Sequence, residues 1–226
     1  MPLAAPDVVR LFTVGSSYDC SQRMTATVTA LPGAPLALPS GKVAACDPFI
    51  GLGDDLDPFT AEVDPGTYPI VLSVVEIARG EVREVVDERV AAAWLQVSDK
   101  PTVEWTLALS DGQAPDDLDD TEFFGYGVDA GTGCFVDATA GAPLGDLLAE
   151  DYELLEAALF GEENSMVRAP AVLTDPKSGH SLVAFSSGWG DGHYPTWVGR
   201  SIDGTITGFV TEFFVVPQPG RDPVDE

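Results

Sequence analysis

Cys134, His193 and a carboxylate from Asp129 or Asp191 are the residues of this chain from which a nucleophile, a base and an orienting acid can be drawn. Only two histidines exist, His180 and His193, so any histidine-dependent step must use one of them. Their settings argue against it. Cys134 is followed by Phe135 and Val136, which suits a small buried hydrophobe, and His193 sits at the tip of a turn. Ser186 and Ser187 run into Gly-Trp-Gly and lack the Gly-x-Ser-x-Gly elbow of a serine hydrolase. The run Gly127-Val128-Asp129-Ala130-Gly131-Thr132-Gly133 can present backbone N–H groups to an anion, yet no Lys or Arg lies nearby to neutralise one. A strand, not a helix, follows it, so it reads as a turn in which Asp129 bonds its own backbone. Asp54, Asp55 and Asp57, and the acids of residues 116–120, carry oxygen ligands suited to calcium without the spacing of an EF-hand. The expectation is no catalytic set, no metal site and no cofactor.

The turn at 188–195 is the strongest candidate for a recognition surface. Gly188, Gly190 and Gly192 permit unusual backbone angles there, and Trp189, Tyr194 and Trp197 flank them with large apolar faces. The candidate binding residues are therefore Asp129, Gly131, Gly133, Trp189, Asp191, His193 and Tyr194. Should the turns at 129–134 and 189–194 converge, they would make the pocket of a small-molecule enzyme or binder, the alternative function.

Charge bounds the partner. The chain carries 37 Asp plus Glu against 11 Lys plus Arg, a formal net charge of -26 in 226 residues. Such a field repels nucleic acid and anionic membranes, and the basic residues, scattered from Arg10 to Arg221, form no track along a phosphate backbone. It steers basic proteins inward. The leading expectation is a non-enzymatic cytoplasmic binding module, of the immunity-inhibitor type, whose acidic surface meets a basic protein; the sequence indicates no oligomeric state. No run reaches the roughly 18–20 apolar residues of a membrane span, and the N-terminus lacks the pattern of a signal peptide. Three cysteines, Cys20, Cys46 and Cys134, make neither a disulfide framework nor a zinc motif.

The elements that must position these residues are mainly strands. Hydrophobic residues make up 45% of the chain, enough for a sizeable core. Gly66-Thr67-Tyr68-Pro69 recurs as Gly192-His193-Tyr194-Pro195, each opening a hairpin whose turn carries Gly80 or Gly204. Beyond the turns, Val82 aligns with Ile206, Val86 with Val210, Glu88 with Glu212 and Val90 with Phe214. Residues 102–109 alternate with period two. Leu144, Leu147, Leu148, Tyr152, Leu155 and Leu159 recur at helical steps, with Pro143 suited to the first position and Gly161 to the end. The chain is thus expected to be mainly β (α+β), with antiparallel hairpins in two related β-rich halves sharing a core. The halves are residues 1–110 and 123–216, joined by an acidic loop at 111–122. One amphipathic helix at 144–160 is inserted in the second half, and 217–226 form a flexible tail.

Several blocks resemble a known bacterial family. They are Val43-Ala44-Ala45-Cys46-Asp47-Pro48, Gly66-Thr67-Tyr68-Pro69, Arg89-Val90-Ala91-Ala92-Ala93, the block from Phe124-Gly125-Tyr126 through Gly133-Cys134-Phe135, and Ser187-Gly188-Trp189-Gly190-Asp191-Gly192-His193-Tyr194-Pro195. Together they are similar to the family catalogued as domain of unknown function 4241. The resemblance covers about Val43 to Val216 and implies identity without activity, cofactor or catalytic residue.

Overall fold

A computed structural model describes residues 2–21, 23–80, 82–160, 167, 169–219 and 221. After a single helical turn, α1 (Val8–Leu11), come β1 (Ser17–Ser21), β2 (Met24–Ala30), β3 (Gly33–Leu38), β4 (Val43–Cys46) and the long hairpin of β5 (Gly66–Arg79) and β6 (Glu84–Gln96). Then follow β7 (Glu104–Leu107), β8 (Gly125–Val128), β9 (Thr132–Asp137), the helices α2 (Gly141–Glu150) and α3 (Glu153–Phe160), β10 (Ala171–Thr174), β11 (Ser181–Ser186) and the hairpin of β12 (Gly192–Arg200) and β13 (Ile206–Glu212). The protein is mostly β, as its alternating and β-branched runs require.

Two antiparallel sheets form. The larger runs β1-β2-β5-β6-β13-β12-β7, with β3 also pairing β5 and β8 also pairing β12; the smaller runs β10-β11-β9-β4. Alternation along the smaller sheet decides the layers. Val43, Ala45, Phe135 and Val183 face the larger sheet and join the main core, while Ala44, Cys46, Cys134, Val136 and Leu182 face outward and are covered by Leu144, Leu147 and Leu148 of α2.

The two halves are related by an approximate two-fold axis, which the strand registers reveal. Leu36 faces Tyr68 as Tyr126 faces Tyr194, and the separation from Leu36 to Tyr126 equals that from Ala45 to Phe135, which pair with each other across β4 and β9. In the larger sheet Ile70 faces Leu95 as Thr196 faces Thr211, which makes Trp94 the counterpart of Val210; these two also pair directly, across β6 and β13. Counterparts that pair with each other lie on the axis, so it passes through the middle of both sheets.

The repeated Gly-x-Tyr-Pro motif does the same work twice. Each tyrosine hydroxyl donates to a carbonyl four residues back, Tyr68 to Asp64 at 2.7 Å and Tyr194 to Gly190 at 2.8 Å. Each ring folds over the glycine two residues before it, where a Cβ would lie 3.1 Å from Tyr68 and 3.0 Å from Tyr194. Each hairpin also shifts register just past this point, between Ser73 and Val74 and between Gly199 and Arg200.

A second pair of counterparts, which the sequence reading passed over, locks the halves together. Asp47, just past the end of β4, and Asp137, the last residue of β9, are both buried. Asp47 accepts from its own Phe49 N–H at 2.8 Å and reaches across the axis to the N–H groups of Asp129 and Ala130, each at 3.0 Å. Asp137 accepts from its own Thr139 N–H at 2.9 Å and reaches back to the N–H of Ser40 at 2.9 Å. Ser40 is the counterpart of Ala130, and Gly41 and Gly131 follow them with φ of +75° and +61°, the left-handed bend that aims the preceding N–H groups at the carboxylate.

One expectation needs correcting. The return strands align differently from the turn-based match. Past the shared register shift the first hairpin runs on to Arg79, so Trp94, not Val86, is the counterpart of Val210; Val86 is exposed whereas Val210 is buried. The acidic loop lies between β7 and β8, and β7–β8 run along β12 as β2–β3 run along β5, so residues 97–103 connect the strands that pair with β5 and β6 to those that pair with β12. The expected helix in the second half is present as α2, which starts at Gly141 and stops where Asp151 takes φ −147°, ψ 82°, two acids there opposing the dipole; the short α3 follows. Its expected end at Gly161 lies outside the described residues. The segment read as a flexible tail begins docked: Gln218 is buried and accepts from Asp7 N–H at 3.0 Å, and Arg221 grips Glu212 at 2.8 Å; residues 222–226 lie outside the described part.

Each latch gives a test. Asp47→Ala and Asp137→Ala each leave partly buried backbone N–H groups without their carboxylate acceptor and are expected to lower the unfolding free energy by about 1–3 kcal/mol in urea titrations. Glu212 gives a second. Burial outweighs the attraction of Arg221 and pushes its carboxyl from 4.5 up to about 7. The folded protein then holds a proton that the unfolded chain has lost, so this contribution to stability is full below about 4.5 and disappears as pH rises through about 7. Urea titrations at several pH values should show the wild type gaining stability relative to Glu212→Gln as pH falls across that window.

Candidate functional site

The turns at 129–131 and 187–191 do meet, held by backbone bonds. Gly131 N–H donates to the Asp191 carboxylate at 3.1 Å, and the Gly131 carbonyl accepts from Ser187 N–H at 3.1 Å. The Gly190 carbonyl then accepts from both Ser187 Oγ and Tyr194 Oη, each at 2.8 Å. The contact follows from register, because β9 and β11 pair up to Thr132 and Ser186 and deliver the two turns side by side.

The N–H groups that the glycine-rich run would offer to an anion are already in use. Those of Asp129 and Ala130 point at Asp47, and that of Gly131 at Asp191. A phosphate entering here would have to displace internal carboxylates. The glycine-rich run is therefore a turn pinned by acids of the same chain.

The candidate residues divide by exposure. Trp189 is 54% exposed, with the Arg89 guanidinium 5.1 Å from its ring centre, and the side chains of Asp129 and Asp191 lie at the surface around the joined turns. Arg89 is itself fixed, donating to Asp87 at 2.7 Å and to the Gly188 carbonyl at 3.4 Å. His193, paired with Gly127 in β12 and β8, stacks on Phe123 at 5.6 Å, and partial burial pulls its pKa below the ordinary value. Gly133 is no loop glycine: it is buried inside β9, where a Cβ would stand 2.6 Å from the Tyr126 hydroxyl. Tyr194 is 4% exposed, and burial raises its hydroxyl pKa, so it serves the scaffold beneath the surface.

Cys134 faces another cysteine. β4 and β9 set Cys46 and Cys134 opposite one another with sulfurs 3.6 Å apart, both free thiols, and burial pushes the Cys134 thiol well above its usual range. A thiol so held against ionisation, beneath α2, is not an activated nucleophile. Among the described residues no group of three or more His, Cys, Asp or Glu side chains converges as for a metal, and no helix is long and apolar enough to cross a membrane.

Residues 36–211 match the family described as Protein of unknown function (DUF4241). The chain belongs to that family. No curated protein and no solved structure matches it. The matched span opens inside β3 and closes inside β13, so it contains both tyrosine latches, both buried aspartates and both strand pairs on the axis. β1, β2 and the docked segment at Arg221 lie outside the matched span.

Trp189 should be separable from the scaffold beneath it. Trp189→Ala is expected to cost no more than about 1 kcal/mol in urea titrations. It should also remove most of the tryptophan emission that acrylamide quenches, since Trp197 is only 2% exposed and Trp94 and Trp105 are half-buried.

Proposed function

We propose that this protein is a non-enzymatic binding module, of the immunity-inhibitor type, that engages a basic protein through the surface around Trp189. The observation that carries this reading is an exposed tryptophan on a turn whose backbone is fixed at Gly131, Ser187 and Gly190, with the carboxylates of Asp129 and Asp191 beside it. A large aromatic surface that pays little ordering entropy on contact is what a binding hot spot needs.

The charge balance supports the choice of partner. Lys42, Arg79, Arg89, Lys100, Lys177 and Arg221 are each paired with a carboxylate of the same chain, so the cations are largely neutralised locally and the surplus acids set the field. That field speeds the approach of a basic protein and the tryptophan then anchors it. The Cys134, His193 and Asp129 grouping gives no support to an enzyme, since its thiol lies against Cys46 and its histidine against Phe123.

Affinity capture with the immobilised protein tests this. At low ionic strength it should retain a basic protein whose affinity falls steeply with added salt and falls at least about tenfold in Trp189→Ala and in Asp129→Asn, a loss of about 1.4 kcal/mol or more. Recovery of no basic partner, or of partners that bind equally at all salt concentrations and to both variants, would overturn it.

A further inference from the structure

Cys46 and Cys134 are 88 residues apart in the chain and directly opposite one another in the smaller sheet, with sulfurs 3.6 Å apart. A disulfide needs Cα atoms about 4.4–6.8 Å apart. Directly opposed residues of an antiparallel pair stand about 4.5 or 5.5 Å apart, according to whether they exchange hydrogen bonds, so either kind of pair falls inside that range. To reach a bond of about 2.05 Å the sulfurs must close by about 1.6 Å, a distance that turning both side chains about their Cα–Cβ bonds can span.

The two-fold relation shows that the fold does not require thiols here. The counterparts of Cys134 and Cys46 are Ala44 and Val136, which face each other across the same two strands on the other side of the axis. There an alanine and a valine fill the layer beneath α2. The units differ at other paired positions too, Leu36, Ile70 and Leu95 of the first corresponding to Tyr126, Thr196 and Thr211 of the second.

The two sulfurs are not equally placed. Cys134 is fully buried in β9, paired with Cys46 on one side and Ala184 on the other, and burial holds its thiol protonated. Cys46 is the last residue of β4 and retains 7% exposure. The loop beyond it bends back at Gly51, where a Cβ would stand 2.6 Å from Cys46 Cβ and 3.3 Å from its sulfur, so bare backbone covers the thiol there. The third thiol, Cys20, is exposed on β1 at the edge of the larger sheet and pairs with neither.

We propose that Cys46 and Cys134 are a redox pair that a small hydroperoxide converts to a disulfide. The Cys46 sulfur attacks the terminal oxygen of the hydroperoxide. The O–O bond breaks, an alcohol leaves with the thiol proton, and Cys46 becomes a sulfenic acid. The Cys134 sulfur then attacks the Cys46 sulfur, the S–O bond breaks, and the oxygen leaves as water with the Cys134 proton. Two thiols lose two electrons in all, and one hydroperoxide gives one alcohol and one water. A thiol held protonated reacts slowly, so the pair answers sustained oxidant and is no catalyst. The bond joins residues 88 apart and stabilises the fold chiefly by restricting the unfolded chain. It depends on no protein partner and lies apart from the Trp189 surface.

Hydrogen peroxide added to the folded protein is the test. Non-reducing peptide mapping is expected to yield one linked peptide, joining Cys46 to Cys134, which dithiothreitol separates. The oxidised protein should melt at least about 4 °C above the reduced one. Cys134→Ala and Cys46→Val, which install the residues of the symmetric pair, should each abolish the link. In Cys134→Ala, dimedone should label Cys46 as the trapped sulfenic acid; in Cys46→Val, Cys134 should take at least about tenfold less label. Should either variant fail to fold, the map of the wild type decides alone. The proposal is overturned if peroxide that fully oxidises Cys20 leaves Cys46 and Cys134 reduced, if the linked peptide contains Cys20, or if the link forms only in urea. It is equally overturned if dimedone labels Cys134 in preference to Cys46, or if the oxidised protein melts below the reduced one.

Discussion

The exchange of buried carboxylates across the axis is the constraint from which the rest of this architecture follows. A carboxylate in a protein interior must be met by donors, and Asp47 and Asp137 find theirs chiefly in the turn that precedes the other's strand. Their demand fixes the register of β4 against β9, and with it the places of Ala45 and Phe135 on the axis. It also fixes the turn at 129–131, which in turn holds 187–191 through Gly131 and so sets Trp189 at the surface. The recognition surface and the core are thus consecutive consequences of one polar interaction.

What could be read in the sequence was whatever is local. The two tyrosine motifs were legible because the residues that act together, a glycine, a tyrosine and a carbonyl four residues back, are neighbours in the chain. The second repeat is nearly as local: Gly41 stands before Asp47 at the same spacing as Gly131 before Asp137. It escaped notice because the intervening residues differ and because Asp47-Pro48 reads as an ordinary turn. The long-range partners carried no such sign. Nothing in the chain says that Asp47 serves Ala130, or that Cys134 will face Cys46, until the strands are paired. Counting back from the turn misaligned the return strands, since only one hairpin continues beyond the shared register shift.

The candidate residues divide for the same reason. Composition marked Trp189 and Tyr194 alike as large apolar faces on a glycine-rich turn, and packing separates them, one outward and one beneath. Gly133 looked like part of a turn and is strand, its missing side chain making room for Tyr126. Tyr126 itself was unremarked beyond its place in a family block. That it corresponds to Leu36 shows only once both are paired with the latch tyrosines.

The reciprocity of the two aspartates has one more consequence. Neither unit closes its own carboxylate, so a single unit alone would offer an unmatched acid and an unmatched turn, each fitted to a second copy of itself. That is the arrangement of an isologous homodimer, here joined in tandem through residues 97–103. With the partner supplied by the same chain, assembly no longer depends on concentration, and the two copies are released from identity. One can remain a closed core while the other drifts toward small and polar residues.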